Sequence, residues 1–217
     1  MGRNAGNPSS ESGREAADWG AGYNAGMILE GIVTSSDPED RLNVAPMGPI
    51  VGDDEHLLIL RPFQSSQTFQ NLRARPYGVF HIVDDVLLLA QAALDKLPSV
   101  PATFSATGIP GRVLENCCHW WEFEVIDCDA SQERSQMRAR IVHRGHRRDF
   151  VGFNRAKHAV IEATILATRL HLLSAADVQA ELSRWQSAVA KTAGPQEQAA
   201  WDLVTKYIAA RYREQPQ

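Results

Sequence analysis

The stretch Arg61-Pro62-Phe63-Gln64-Ser65-Ser66-Gln67-Thr68-Phe69-Gln70-Asn71-Leu72 is the part of the chain best suited to hold a ligand. An arginine leads it, and Ser65, Ser66 and Thr68 follow where a helix would begin. A guanidinium presents a planar fork of donors that matches a phosphate. The free N–H groups and the positive dipole end of a helix N-terminus favour the same anion. Hydroxyls in that turn serve either as ligands of the anion or as helix caps. Arg61, Ser65, Ser66 and Thr68 are therefore candidates for a phosphate grip, with Asn71 one turn further on.

A second group of polar residues is His143-Arg144-Gly145-His146-Arg147-Arg148-Asp149, followed by Asn154-Arg155-Ala156-Lys157-His158. By default such a basic run is a solvated face. The alternatives are a second wall for an anion, or a salt-bridge network between subunits. His158 and Glu162 are four apart and can pair on one helix face. The second histidine of a zinc-protease helix is missing, so that spacing gives zinc hydrolysis little support. Cys117, Cys118 and His119 are adjacent but lack the paired spacing of a zinc site, and no metal is assigned. An odd set of three cysteines suits reduced thiols in a cytoplasm. There is no Walker loop, no glycine-rich dinucleotide turn after a strand and no nucleophile elbow. No nucleophile can be matched to a base, so any enzymatic chemistry would need a cofactor to supply the reactive atom.

The elements that must position these groups follow from hydrophobic pattern. Met27 to Thr34 is a β-rich run, and the polar cluster from Ser35 to Asp40 predicts a hairpin returning over 42–51. Pro46 and Pro49 cannot donate to a ladder, so this second strand belongs at an edge or a bulge. Gly48 between them leaves room for a close approach, either as an irregular edge or as a strand bent open for a flat ligand. A buried strand over 56–62 leads into a helix over about 65–75. A strand over 77–83 then ends at Asp84-Asp85, an acidic cap for a buried helix over 86–94. Trp121, Phe123 and Val125 alternate against Glu122 and Glu124, which predicts a half-buried strand with both glutamates outward. A last strand, about 137–144, places Met137, Ala139, Ile141 and His143 on one face and Arg138, Arg140 and Arg144 on the other.

Six or so strands with inserted helices predict a small antiparallel or mixed barrel over 26–150. Beyond it the β signal ends, and helices fit 153–173, 175–192 and 195–212, a helical region over 151–217. Ser174 with Asp177 is capping chemistry, and Gly194-Pro195 separates the last two helices. Ala156, Ala159, Val160, Ala163, Ala167 and Leu170 form one small-residue face, fit to pack on the barrel or on a second copy. Residues 1–25 have no sustained apolar period and are expected to be a flexible extension. Arg3 and Arg14 flank no apolar core, so no signal peptide is expected. With 217 residues, 44% hydrophobic and 22% charged, the chain can bury a core of ordinary size. A net charge of −4 and a pI near 6.0 argue against non-specific nucleic-acid binding. No apolar run approaches the roughly 20 residues that would span a bilayer.

Four segments together resemble a known family. They are Ile28-Leu29-Glu30-Gly31-Ile32-Val33, Asn43-Val44-Ala45-Pro46-Met47-Gly48, Leu60-Arg61-Pro62-Phe63-Gln64-Ser65-Ser66 and Gly152-Phe153-Asn154-Arg155-Ala156-Lys157-His158. They are similar to the domain-of-unknown-function 447 group, over roughly residues 26–212. That group is similar in turn to the flavin-reductase-like split β-barrels, which bind FMN, usually as homodimers with the flavin near the subunit interface. The resemblance implies an FMN-binding split β-barrel followed by a C-terminal helical region. It makes Arg61, Ser65, Ser66 and Thr68 ligands of the FMN phosphate, with Asn71 nearby. Ala45, Pro46, Met47 and Gly48 would run along the isoalloxazine ring, and Asn154 and Arg155 would complete the pocket, from this subunit or its partner. The implied function is a flavin-dependent oxidoreductase of unknown substrate. The alternatives are a non-catalytic FMN-binding or carrier protein, possibly tied to methanopterin-linked one-carbon metabolism, and a pocket for another phosphorylated ligand such as a pterin or pyridoxal derivative.

Overall fold

A hairpin opens the described chain. β1 (Met27–Ile28) and β2 (Gly31–Ser36) run outward, and β3 (Leu42–Met47) and β4 (Ile50–Val51) return. The structure, a computed structural model, describes residues 26–52 and 56–214, so the expected extension over 1–25 lies outside the described residues. The hairpin turn is tied by Asp37, whose carboxylate accepts from Arg41 N at 2.8 Å and Arg41 Nε at 2.6 Å. β2 pairs with β3 from Gly31↔Met47 to Ser36↔Leu42, and β1 pairs with β4 at Met27↔Val51 and Ile28↔Ile50. Each of the two long strands expected here is interrupted, at Leu29-Glu30 and at Gly48-Pro49. The cause is local. Pro49 has no N–H to give, and a Cβ on Gly48 would stand only 2.6 Å from Ile28 Cγ2. Leu29 N donating to Pro49 O at 3.1 Å bridges the gap.

The chain continues through β5 (Leu57–Leu60), α1 (Gln67–Ala74), β6 (Tyr77–Ile82), α2 (Val86–Ala93), β7 (Thr103–Ser105), β8 (Arg112–Leu114), β9 (His119–Asp129) and β10 (Gln136–His146). Eight strands form one antiparallel sheet in the order β1-β4-β5-β10-β9-β6-β2-β3. Its two edges, β1 and β3, belong to the same hairpin, so the sheet curls round until that hairpin spans the split. Among the described residues ten strands replace the six or so expected, because two long strands are interrupted and the short β7–β8 hairpin has no counterpart in the hydrophobic pattern. Val33, Leu58, Leu60, Phe80, Phe123, Met137 and Ala139 fill the interior.

Alternation holds along β10, where Met137, Ala139 and Ile141 are buried and Arg140 and Val142 are exposed. It fails on β9. Glu122, expected to face outward, is 0% exposed. Its carboxylate accepts from Thr107 N at 2.9 Å, Gly108 N at 2.5 Å and Trp120 Nε1 at 3.1 Å. Three donors replace the water this carboxylate gives up, and two of them come from the loop between β7 and β8 that folds across it.

The helical region comprises α3 (Arg155–Ala167), a single 3-10 turn (Leu170–Leu172), α4 (Ala175–Thr192) and α5 (Pro195–Glu214). The helix expected over 153–173 is thus shorter and ends at Ala167, where Thr168 Oγ1 donates back to Ile165 O at 2.8 Å. Asn154 caps it, accepting from Ala156 N and Lys157 N. The small-residue face of α3 packs not on the barrel wall but in a helical core. Ala156, Ala159, Val160 and Ala163 share that core with Val178 and Leu182 of α4, with Ala200, Trp201 and Val204 of α5, and with Val86, Ala90 and Leu94 from α2 and its end. Among the described residues no helix is long and apolar enough to cross a membrane.

Candidate functional site

The break in the hairpin opens onto a cleft of about 460 Å³ between the barrel and the helices. Ala45, Pro46, Met47 and Gly48 form one wall. Leu89 and Ala93 of α2, with Ile161, Thr164 and Ile165 of α3, form an apolar wall from the helical side. Arg61, Pro62, Phe63, Ser66 and Thr68 come from the turn between β5 and α1. Seven of the residues singled out in the sequence therefore share one cleft: Ala45, Pro46, Met47, Gly48, Arg61, Ser66 and Thr68.

The other four lie elsewhere. Ser65 is exposed and is not part of the cleft lining. Asn71 is buried inside the barrel, donating to Ser35 Oγ at 3.2 Å and accepting from Gln67 Nε2 at 2.7 Å. Asn154 caps α3 and donates to Thr192 O at 2.9 Å, and Arg155, beside it, is exposed. Both stand outside the cleft of this chain.

Within the cleft the polar groups divide by what they already bind. Ser66 Oγ accepts from Phe69 N at 3.2 Å and donates to Phe63 O at 2.7 Å, so it is a helix cap with its proton committed. Thr68 Oγ1 accepts from Asn43 Nδ2 at 3.0 Å and makes no hydrogen bond as donor to a described residue. Arg61 Nε is buried and has no hydrogen-bond partner. A buried donor left empty costs about 1–3 kcal/mol, so its place in a cleft wall points to a ligand acceptor.

Two further arginines line the cleft, Arg134 and Arg169. Arg134 lies in the turn joining β9 and β10, brought across by the Phe63↔Arg134 bridge and by its Nε donating to Arg61 O at 3.1 Å. Its guanidinium sits 5.4 Å from the Phe63 ring centroid. Desolvation, followed by repulsion from Arg61 and Arg169, pulls its pKa below the usual arginine range. None of the three makes an ion pair with a described carboxylate. Three like charges gathered in a partly desolvated cleft call for an anion among them. Sequence pattern has no signal for Arg134 or Arg169, since each is an isolated cation at the end of an element and only the fold brings them to Arg61.

The basic run at 143–149 is spent on the protein itself. Arg148 clasps the buried Asp84 through 2.5 and 2.9 Å contacts, and holds that carboxyl down at about 2. This salt bridge lies within one chain. His146 pairs with Asp149 at 3.1 Å. His158 stacks on Phe153 at 6.1 Å and forms no ion pair with Glu162 among the described residues. Burial pushes the Cys117 thiol up to about 11, which keeps it an unreactive thiol. Among the described residues no three His, Cys, Asp or Glu side chains converge as metal ligands.

An FMN-bound protein of Methanosarcina mazei has a similar structure, with a TM-score of 0.69 and 24% identity, covering 86% of this chain and 97% of that one. The 2-nitrobenzoate 2-nitroreductase of Pseudomonas fluorescens matches with a TM-score of 0.47 and 19% identity, over 58% of this chain and 68% of that one. A flavoredoxin of Methanosarcina acetivorans matches with a TM-score of 0.48 and 9% identity, over 58% and 74%. None of the curated proteins compared with the chain matches it. The curled antiparallel sheet followed by C-terminal helices is the fold this chain shares with the Methanosarcina mazei protein. The chain belongs to the DUF447 family of proteins of unknown function. The family's N-terminal domain matches residues 29–148 and its C-terminal domain residues 154–206.

Proposed function

We propose that the protein binds FMN in this cleft and acts as a flavin-dependent oxidoreductase, as a cytoplasmic homodimer. The observation that carries the reading is the buried, unpartnered Arg61 Nε in a cleft that also gathers Arg134 and Arg169. The residues fit the group. A phosphate dianion would occupy the three guanidiniums, with the Thr68 hydroxyl as a further donor. Ala45 to Gly48 offer backbone and a missing side chain to a flat ring, and Met47, Leu89, Ile161 and Ile165 keep water from its faces. When bound, the flavin would supply the redox chemistry, which no side chain of the cleft can. The FMN-bound relative in the same family supports this assignment.

The test compares FMN with riboflavin, which lacks the phosphate, by fluorescence titration. Arg61→Ala should weaken FMN by about 1.5–3 kcal/mol, the usual cost of losing a charge-assisted hydrogen bond, and riboflavin far less. Equal losses for both ligands would remove Arg61 from the phosphate. Absence of FMN binding at micromolar concentration would reject the cofactor assignment itself.

A further inference from the structure

Glu30 lies in the break between β1 and β2 and lines the cleft. Its carboxylate oxygens stand 3.2 and 3.3 Å from where a Cβ on Gly48 would sit, so the bare backbone at 48 is what gives the carboxyl its room. It makes no hydrogen bond or ion pair with a described residue. Its charged neighbour is Glu162 of α3, beside the cleft-lining Ile161. Glu30 is exposed at the cleft rim, and partial desolvation by the cleft walls, then Glu162, raise its pKa from the ordinary value.

The charge acting on Glu30 is that of Glu162, whereas Arg134 is acted on by Arg61 and Arg169. The cleft is therefore polarised, with the guanidiniums gathered in one part and the carboxyl of Glu30 in another. The arginine end suits a phosphate. A carboxylate at the other end has no cation to face, and covering it with a flat ring would withdraw it further from water. The neutral acid suits that place, because it can donate to a carbonyl or ring nitrogen on the ligand's edge.

We propose that Glu30 recognises the ligand's ring by donating a hydrogen bond to an acceptor atom on its edge. The assignment rests on the FMN reading above, and it makes ring binding take up a proton. Other charged groups around the cleft are accounted for. Arg61, Arg134 and Arg169 stay charged, Ala45 to Gly48 and the α2 residues Leu89 and Ala93 do not titrate, and His158 lies one turn from Glu162 on α3.

Riboflavin is the probe, since it has neither a phosphate nor another group titrating between about pH 5 and about pH 8. Its affinity for the wild-type protein should rise roughly threefold to tenfold as falling pH protonates Glu30, the value of one hydrogen bond. Glu30→Gln, whose amide keeps a donor at every pH, should bind with little pH dependence. Glu162→Gln should shift the rise to lower pH. A wild-type affinity independent of pH, with FMN still bound, would overturn the Glu30 assignment and leave the cofactor reading intact. A rise that persists in Glu30→Gln would also overturn it and point to His158. Failure of both flavins to bind at any pH would remove the FMN reading and this inference with it.

Discussion

His81 on β6 is fully buried, with Nδ1 3.1 Å from Ile32 O and Nε2 accepting from Leu114 N at 3.0 Å. The acceptor role of Nε2 places the proton on Nδ1, so the ring is neutral. Burial pushes its pKa down to about 4. The unfolded chain takes up a proton near the ordinary histidine value and the folded protein does not, so stability falls as pH drops from about 6.5 towards 4. Between pH 7 and pH 5 the loss from this residue should be about 2 kcal/mol, at 1.36 kcal/mol per unit. Urea denaturation at the two values measures it. His81→Gln should flatten that part of the curve, and an unchanged pH profile in the variant would show that another group is responsible. At this scale the sequence was only partly legible. Arg61 and the proline-flanked Gly48 announce themselves by type and neighbours. Glu122 does not, because strand alternation is blind to three donors arriving from residues 107, 108 and 120.

Elements that carry their own stop signals are the ones that local pattern locates. Ser66, Asp85 and Ser174 each accept from an N–H of the helix they cap, at Phe69, Leu88 and Asp177. The hairpin at 35–41 is likewise marked by its turn residues. β7 and β8 are not, since residues 98–111 are rich in proline and glycine, β8 draws its place from contact with β6 and β2, and β7 pairs with β8. The pairing of β9 with β10 is equally a tertiary matter. Gly145 faces Trp120 across the ladder, and a Cβ there would stand 2.0 Å from the indole. Trp120 cannot yield freely, because its Nε1 is held by Glu122. Gly145→Ala should therefore cost about 1–3 kcal/mol by overpacking, read as a lower urea midpoint. A midpoint equal to wild type would mean that the indole moves aside without loss.

Across the whole molecule, barrel and helices are fastened at one seam. Asp84, at the end of β6, is held by Arg148, while Lys157 of α3 donates to the Asp84 carbonyl and pairs with Glu197 of α5 at 3.4 Å. The segment between the two regions leaves apolar side chains outside, with Phe150 43%, Val151 80% and Phe153 95% exposed. Contiguous apolar exposure of this kind marks a contact surface, and the proposed homodimer would cover it. Light scattering should show a dimer for the wild-type protein, and Val151→Asp with Phe153→Asp should shift it towards monomer. A wild-type monomer at micromolar concentration would remove the dimer from the reading.

α2 belongs to the barrel by its place in the chain and to the helical core by its packing. That arrangement bears on how such a protein can be inherited. A gene rearrangement that parted the two DUF447 segments would leave Val86, Ala90 and Leu94 facing water and take from α3 and α5 the surface they are shaped to meet. Neither fragment would keep its own core closed, so neither is a ready building block for a new fusion.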